Sequence, residues 1–504
     1  MKLIQSLAIA CSLFYCNPGH ADTAPKREFR GTWVQTVHQS HYSGMNRSEM
    51  KSYFKKMLDD LQNAGINVLI FQIRPSADAF YPSDLEPWSR FLTGKQGRAP
   101  QTEWDPTAFL IDECHKRNIE FHAWLNPYRV TASANEQLSE DHIYNQHPEW
   151  FVKYDGKLYF DPGQPQCRKF FRNVIKDIIT RYDVDAIHMD DYFYPYPVKG
   201  QRFPDEASFQ AYHKKMNFSA SQLGDWRRQN VNILIKSIHE DIRSLKPWVR
   251  FGISPFGIYR NKKSDPQGSL TNGLQNYDDL YADVLRWTEE GWIDYLIPQL
   301  YWECGHKAAD YDILIDWWNQ NSNNTHLYIG QSISRSLDDN RNLTSTDNHF
   351  NRKISKTRQS ENISGNCFWY AYQIMDNEKK VADILKTKYH ATPTLLPAYT
   401  HIDSEAPKEV RKVKTRWTEN GYELQWKRRD TDDEMQKQIY FCIYRFKRGE
   451  KRDLNNSKNL IATTRDTYYL LPYEDGKNRF DYVVTSVDRM HNESKKGARK
   501  KVKL

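Results

Sequence analysis

The stretch Val184-Asp-Ala-Ile-His-Met-Asp-Asp-Tyr-Phe-Tyr194 reads as a short apolar strand that runs straight into two carboxylates, Asp190 and Asp191, followed by three aromatic residues. Acids at a strand end are what a carbohydrate-cleaving barrel needs, because such a barrel builds its site at the carboxyl ends of its strands. Seven further strand-like runs flank it, near Arg30 to Val37, Ile66 to Ile73, Ile119 to Leu125, Val249 to Ile253, Ile293 to Leu300, His326 to Ile329 and Cys367 to Ala371. With Val184 to Met189 they make eight. Between them lie amphipathic segments such as Glu49 to Ala64, Pro106 to Arg117, Lys169 to Arg181, Gln229 to Ser244, Tyr277 to Glu290 and Ala309 to Gln320. This alternation predicts an α/β fold, a (β/α)8 TIM-like barrel. A dinucleotide fold is disfavoured, since no Gly-x-Gly-x-x-Gly follows the first strand and no Walker loop occurs.

Three connections are long. Tyr128 to Gln166 and Tyr192 to Asp225 leave the carboxyl ends of strands and are expected to wall a cleft. The third, Ser332 to Asn366, is rich in Asn, Ser and Thr and reads as a cover or as a mobile loop. Prolines then replace periodicity in Thr392-Pro-Thr-Leu-Leu-Pro-Ala-Tyr399 and Asp403-Ser-Glu-Ala-Pro407, which marks a boundary. Beyond it the pattern is all strand, in Gly421 to Trp426, Tyr440 to Tyr444, Tyr468 to Leu470 and Phe480 to Val487, and predicts a small all-β immunoglobulin-like sandwich.

The opening Met1-Lys-Leu-Ile-Gln-Ser-Leu-Ala-Ile-Ala-Cys-Ser-Leu-Phe-Tyr15 joins a basic start to a short apolar run, and Gly19-His-Ala21 offers a cleavage site. It reads as a secretory signal. A lipid anchor at Cys11 is left open, against a very short preceding apolar run. No later stretch is long enough to span a membrane. Export across the inner membrane to the periplasm or outer envelope is the expected localisation. Cys114, Cys167, Cys304, Cys367 and Cys442 are odd in number and widely spaced, so neither a disulfide framework nor a structural zinc follows. The formal charge of +8, with basic clusters in Lys408 to Arg416, Lys427 to Arg429 and Lys495 to Lys503, suits either solubility or contact with an anionic envelope surface. No nucleic-acid-binding motif accompanies it. The 31 Tyr and 15 Trp suit the apolar faces of pyranoses as well as a large core.

The segments Glu28-Phe-Arg-Gly-Thr-Trp33, Phe71-Gln-Ile-Arg-Pro75, His122-Ala-Trp-Leu-Asn-Pro127, Asp161-Pro-Gly163, His188-Met-Asp-Asp-Tyr-Phe-Tyr-Pro195, Phe251-Gly-Ile-Ser-Pro-Phe-Gly257 and Ile297-Pro-Gln-Leu-Tyr-Trp302 run in order through the barrel region and together resemble the bacterial glycosyl hydrolase-like 10 family. The resemblance implies a secreted or envelope-located barrel acting on glycans, with peptidoglycan strands as the leading substrate class. The terminal domain resembles fibronectin type III in Tyr440-Phe-Cys-Ile-Tyr-Arg445 and Val484-Thr-Ser-Val-Asp-Arg489. The chain then divides into a signal peptide over 1–21, the barrel over 22–391, a linker over 392–407 and the fibronectin-like domain over 408–504.

Glycoside cleavage needs one carboxyl to protonate the leaving oxygen and another to act as nucleophile or to activate water. Neighbours on an extended strand point to opposite faces, so one of Asp190 and Asp191 is expected to face the sugar while the other braces a loop, unless the strand has already ended. Asp190 is preferred as the reacting group. Its expected partner is Glu303, just beyond the sixth strand, with Asp78 as competitor or as an ion-pair partner of Arg74. Arg74, Asp78, Trp124, Asn126, Tyr128, Arg129, Tyr192, Gln299, Tyr301 and Trp302 are the candidate substrate-binding residues. His122 and His188 read as packed, hydrogen-bonded strand residues. No cofactor and no metal is expected, although Asp190, Asp191 and His188 together leave a metal-dependent deacetylase or esterase as a third reading. The second reading, after a glycoside hydrolase, is a non-catalytic glycan-binding or scaffolding protein.

Overall fold

The protein is described by a computed structural model covering residues 24–504 apart from 102, 103, 324, 340, 342 and 344. The signal peptide read over residues 1–21, with Cys11, lies outside the described residues.

Eight parallel strands close into a barrel: β1 (Phe29–Val34), β2 (Val68–Arg74), β3 (Glu120–Leu125), β4 (Ala186–Met189), β5 (Arg250–Ile253), β6 (Tyr295–Leu296), β7 (His326–Ser332) and β8 (Ile363–Trp369), each beside its sequence neighbour and β8 beside β1. Every strand-like run of the sequence falls on one of them. Two differ most in extent. The run at Ile293 to Leu300 keeps only two residues of regular ladder, because Pro298 has no N–H to give. Pairing resumes at Gln299, which bridges Phe256 and Gly330. β8 begins four residues before its apolar run, because the polar Asn366 is an interior residue whose side-chain oxygen accepts from Gln331 (2.9 Å) and Thr357 (3.0 Å).

Helices cover the barrel, and Arg47–Asn63 shows how. Asn46 accepts from the N–H groups of Ser48 and Glu49, and Glu49 accepts from the Asn46 N–H at 2.8 Å, a reciprocal cap. Met50, Phe54, Met57, Leu58 and Leu61 then form the buried stripe expected of an amphipathic helix. The segment Tyr277 to Glu290, read as one helix, is two short ones, Asn276–Asp279 and Val284–Glu289. Among the described residues no helix is long and apolar enough to cross a membrane.

Inside the barrel, Tyr295 lies directly over Gly252, where a Cβ would sit 1.9 Å from the ring. Its hydroxyl joins a polar chain along the barrel interior. Trp33 Nε1 donates to His188 Nε2 (3.3 Å), His188 Nδ1 pairs with the Tyr295 hydroxyl (3.1 Å), that hydroxyl with His122 Nδ1 (2.8 Å), and His122 Nε2 with Glu120 (3.0 Å). One set of hydrogen positions satisfies all four contacts with both imidazoles neutral, and burial lowers the pKa of both.

The base of the barrel is closed by a distinct C-terminal all-β domain. A three-stranded sheet holds β9 (Arg411–Thr418), β10 (Gly421–Lys427) and β13 (Tyr468–Leu470); a four-stranded sheet holds β11 (Tyr440–Lys447), β12 (Leu460–Thr464), β14 (Arg479–Val487) and β15 (Ala498–Lys503). After β14, Met490 and His491 turn inward and are buried. His491 and Arg250 meet Glu120 at 2.9 and 2.7 Å, and the Arg250 guanidinium lies 5.0 Å over the Tyr399 ring.

Candidate active site

At the opposite end, where the strands finish, a cleft of about 430 Å³ opens. Its lining comes from strand ends (Trp33, Gln72, Trp124, Trp369), from the residues just after β4 to β6 (Asp190, Asp191, Ser254, Phe256, Gln299, Tyr301, Trp302), from loops (Arg129, Tyr192, Tyr196) and from the short helix Ile333–Leu337 that follows β7 (Arg335). β4 ends at Met189, so the alternation of an extended strand no longer governs the next two residues. Asp190 and Asp191 both reach this one cleft, the alternative left open for a strand that has already ended.

Asp190 is held by three donors. Its Oδ2 accepts from Asn126 Nδ2 (2.6 Å) and Trp124 Nε1 (3.1 Å), and its Oδ1 from the Tyr192 N–H (3.1 Å). Asn126 is fixed in turn, with its Oδ1 accepting from Gln72 (2.6 Å) and Arg129 (2.7 Å). Gln72 accepts the N–H groups of Thr36 and Val37, both at 2.9 Å. Asp191 accepts from the Tyr196 hydroxyl and from Gln299 Nε2 (3.1 Å), and Gln299 also donates to the Ser254 carbonyl (2.9 Å).

Both carboxyls are nearly sealed, at 5 % and 2 % exposure. Burial raises the pKa of Asp190 against the pull of Arg129 and its hydrogen bonds. Burial, reinforced by the charge of Asp190, pushes Asp191 up to about 7. Burial therefore raises both of these adjacent carboxyls, and repulsion by Asp190 adds to the rise at Asp191, so the pair retains a proton to higher pH than an ordinary carboxylate would. His188 contributes no ligand to the pair, since its ring nitrogens meet Trp33, Ser254 and Tyr295. Among the described residues no group of three or more His, Cys, Asp or Glu converges as a metal site.

Rings furnish most of the remaining surface. Trp369 packs edge-on to Trp33 and Trp124, with centroids 6.2 and 6.1 Å away, Trp302 meets Phe256 at 5.4 Å, and Tyr192 stacks on Tyr196 at 5.3 Å. Tyr192, 37 % exposed, also receives the Arg129 guanidinium at 5.5 Å.

Of the candidate residues, the structure brings Asp190, Asp191, Trp124, Arg129, Tyr192, Gln299, Tyr301 and Trp302 to the cleft, with Asn126 behind Asp190. It does not bring Glu303, Asp78, Arg74 or Tyr128 to the lining. The chain turns after Glu303, whose carbonyl accepts from His306 and Tyr311 and whose charge acts on buried Lys353. Asp78 is fully buried and accepts from Gln96 at 3.1 Å. Arg74 pairs with Glu86 (2.5 and 2.7 Å), not Asp78, and donates to the Asn126 carbonyl, so it positions the loop that carries Asn126. Tyr128 packs in the core. Trp33, Gln72, Tyr196, Arg335 and Trp369 are lining residues the sequence reading passed over. Trp33 and Trp369 stand at the last turns of strands already identified, which is the signal that marks them.

The glycosyl hydrolase-like 10 family profile matches residues 28–344. The glycosyl hydrolase YngK of Bacillus subtilis (strain 168) is 42% identical over 494 residues, covering 96% of this chain and 95% of the relative. The glycosyl hydrolase DigH of Escherichia coli (strain K12) is 38% identical over 324 residues, covering 60% of this chain and 72% of the relative. Among solved structures, the PgaB (BpsB) glycoside hydrolase domain from Bordetella bronchiseptica aligns with a TM-score of 0.47 at 8% identity, over 72% of this chain and 99% of that one.

Proposed function

Because the chain belongs to the glycosyl hydrolase-like 10 family and is a glycoside hydrolase acting on glycans, we propose that Asp190 and Asp191 carry its chemistry and that its substrates are glycan strands of the bacterial envelope, with peptidoglycan first. One observation carries the assignment of residues: two adjacent, almost fully buried carboxyls at the strand-end mouth of the barrel, where burial raises the pKa of both. A carboxyl with a raised pKa suits protonation of the leaving glycosidic oxygen. Asp191 takes that role. Asp190, fixed by three donors, is the acceptor turned toward the sugar. The rings of Trp124, Trp302 and Tyr192 offer stacking surfaces for pyranose faces, and Gln299 and Arg129 offer donors for hydroxyls.

The preference for peptidoglycan rests on the motif resemblance and on a net charge of +8, which suits an anionic polymer. The same charge supports docking on an anionic envelope surface through the basic clusters of the C-terminal domain, for which a fibronectin type III-like identity is proposed. Residues 1–21 are proposed to direct export to the periplasm or outer envelope.

Mass spectrometry of products released from intact peptidoglycan, peptide-stripped glycan strands and other polysaccharides tests the reading. Shortened oligosaccharides from the wild-type chain, absent with Asp191→Asn, are expected. Products unchanged in Asp191→Asn would remove that residue from the chemistry, and products only from unrelated polysaccharides would remove the peptidoglycan assignment.

A further inference from the structure

We propose that the sugar cleaved here carries a 2-acetamido group, and that the carbonyl oxygen of this group, not a protein carboxylate, attacks the anomeric carbon while Asp190 receives the amide N–H. The proposal rests on the hydrolase reading above and deepens it by naming a required substituent of the substrate and the nucleophile.

The first argument is placement. Double displacement with a protein nucleophile sets two carboxyls about 5–5.5 Å apart, flanking the scissile bond, and inversion sets them about 6.5–9.5 Å apart. Asp190 and Asp191 are successive residues, with Cα atoms about 3.8 Å apart, leaving one strand end. Each reaches the same cleft, and the charge of Asp190 acts directly on Asp191. A pair so placed addresses the sugar from one side. The remainder of the lining, among the described residues, is aromatic, amide, hydroxyl, imidazole, guanidinium or aliphatic, and it holds no third carboxyl. The attacking oxygen has to arrive with the substrate.

The second argument is valence. An ionised carboxylate offers about four acceptor sites. Three on Asp190 are filled by its own chain: two at Oδ2 and one at Oδ1. One site at Oδ1 is left, and it matches a single N–H donor. The third argument is the surface beside that site. The Trp124 indole that donates to Asp190 also packs on Trp369, which packs on Trp33, so an apolar three-ring wall adjoins the carboxylate. An acetamide methyl suits such a wall and a sugar hydroxyl does not. Tyr301, close enough to both carboxyls for their charges to act on its hydroxyl, supplies a protonated donor for the carbonyl oxygen.

The steps balance. The acetamide carbonyl oxygen bonds to C1 as the C1–O glycosidic bond breaks; the leaving oxygen takes the Asp191 proton, and Asp190 holds the N–H of the resulting bicyclic oxazolinium. Water then attacks C1, giving a proton to the Asp191 carboxylate, and the C1–O bond of the oxazoline breaks to restore the acetamide. Two displacements at C1 return the original anomeric configuration.

The test uses the full chain on peptide-stripped glycan strands whose amides are acetyl, monofluoroacetyl, difluoroacetyl or trifluoroacetyl, and on the chemically N-deacetylated strand. It is joined by inhibition with the thiazoline analogue of N-acetylglucosamine and by NMR of the first anomer formed. The expected result is a progressive loss of kcat with each fluorine, no turnover of the deacetylated strand, competitive inhibition by the thiazoline and retention of configuration. An inverted product overturns the proposal, as does an unchanged rate across the fluorinated series or equal cleavage of the deacetylated strand, and each of these leaves the hydrolase reading intact. No cleavage of any strand ends that reading and this proposal together.

Discussion

At the base of the barrel Glu120 is buried to 6 % exposure against Arg250 and His491, and at the mouth Asp190 is buried to 5 % against another carboxyl. The depth is the same and the outcome opposite. Burial opposes ionisation in both places, but at the base Arg250 and His491 overcome it and hold Glu120 well below its ordinary value. At the mouth burial outweighs the pull of Arg129 on Asp190, so Asp190 moves up and Asp191 reaches about 7. Removing a charge from water costs several kcal/mol unless a partner offsets it. Where cationic partners are supplied the acid ties two domains together; where burial outweighs them its pKa rises instead.

The largest test breaks the mouth. Asp191→Asn removes the transferable proton and is expected to lower kcat/KM by about 10²–10⁴-fold, as loss of a general acid does. Stability should move the other way. Asp191 binds its proton more tightly in the native protein than its ordinary value of 3.8 allows, so the native state loses stability as pH rises from about 4 to about 7. The variant lacks that loss, and thermal unfolding at pH 8 should show it no less stable than wild type. In wild type the rate should also decline above about pH 7, as the acid ionises; a flat profile through that region would contradict the assignment.

Breaking the base should do the reverse. Arg250→Met leaves Glu120 with a weaker partner set in a buried position, and urea unfolding should report a loss of about 3–5 kcal/mol while the folded fraction keeps its kcat. The pH dependence differs in sign from that at the mouth. Glu120 contributes stability above its ordinary 4.5 and loses it as pH falls toward its depressed value, so wild type should weaken in acid more steeply than the variant. Between the two ends, Tyr295→Phe removes the hydroxyl that links His188 to His122 (3.1 and 2.8 Å) and leaves both rings short of a partner. A stability loss of about 1–3 kcal/mol is expected, with a smaller change in rate than Asp191→Asn produces.

The two ends also differ in how far the sequence discloses them. All eight strands were readable because apolar runs of five or so residues alternate with amphipathic segments, and a residue at the end of such a run must face the mouth. That rule finds Asp190, Asp191, Trp124 and Gln299. It finds Trp33 and Trp369 too, once the end of the run is treated as a site and not only as core. Tyr196 escapes it, since loops carry no period to say which way a side chain turns, and Arg335 escapes it because it sits on the short helix Ile333–Leu337 beyond the end of β7. The base was illegible for another reason. Glu120 and Arg250 open their strands, but the partner that completes them, His491, lies about 240 residues or more away in the other domain, and nothing in local pattern joins them.

Glu303 is the sharpest case of a rule carried one step too far, and it gives the smallest expected effect. It follows Trp302, which does line the cleft, and on sequence grounds it stood as the partner carboxylate. The chain turns at Cys304 and Gly305, the latter with φ of 81°, and Glu303 stays out of the lining, its charge acting on Lys353. Glu303→Gln should therefore change stability by no more than about 0.5 kcal/mol and leave kcat near that of wild type, measured on the same glycan strands as Asp191→Asn. A loss for Glu303→Gln comparable with that of Asp191→Asn would mean that the loop swings to bring a second carboxyl over the sugar. The nucleophile would then belong to the protein, and the difference between mouth and base would no longer rest on Asp190 and Asp191 alone.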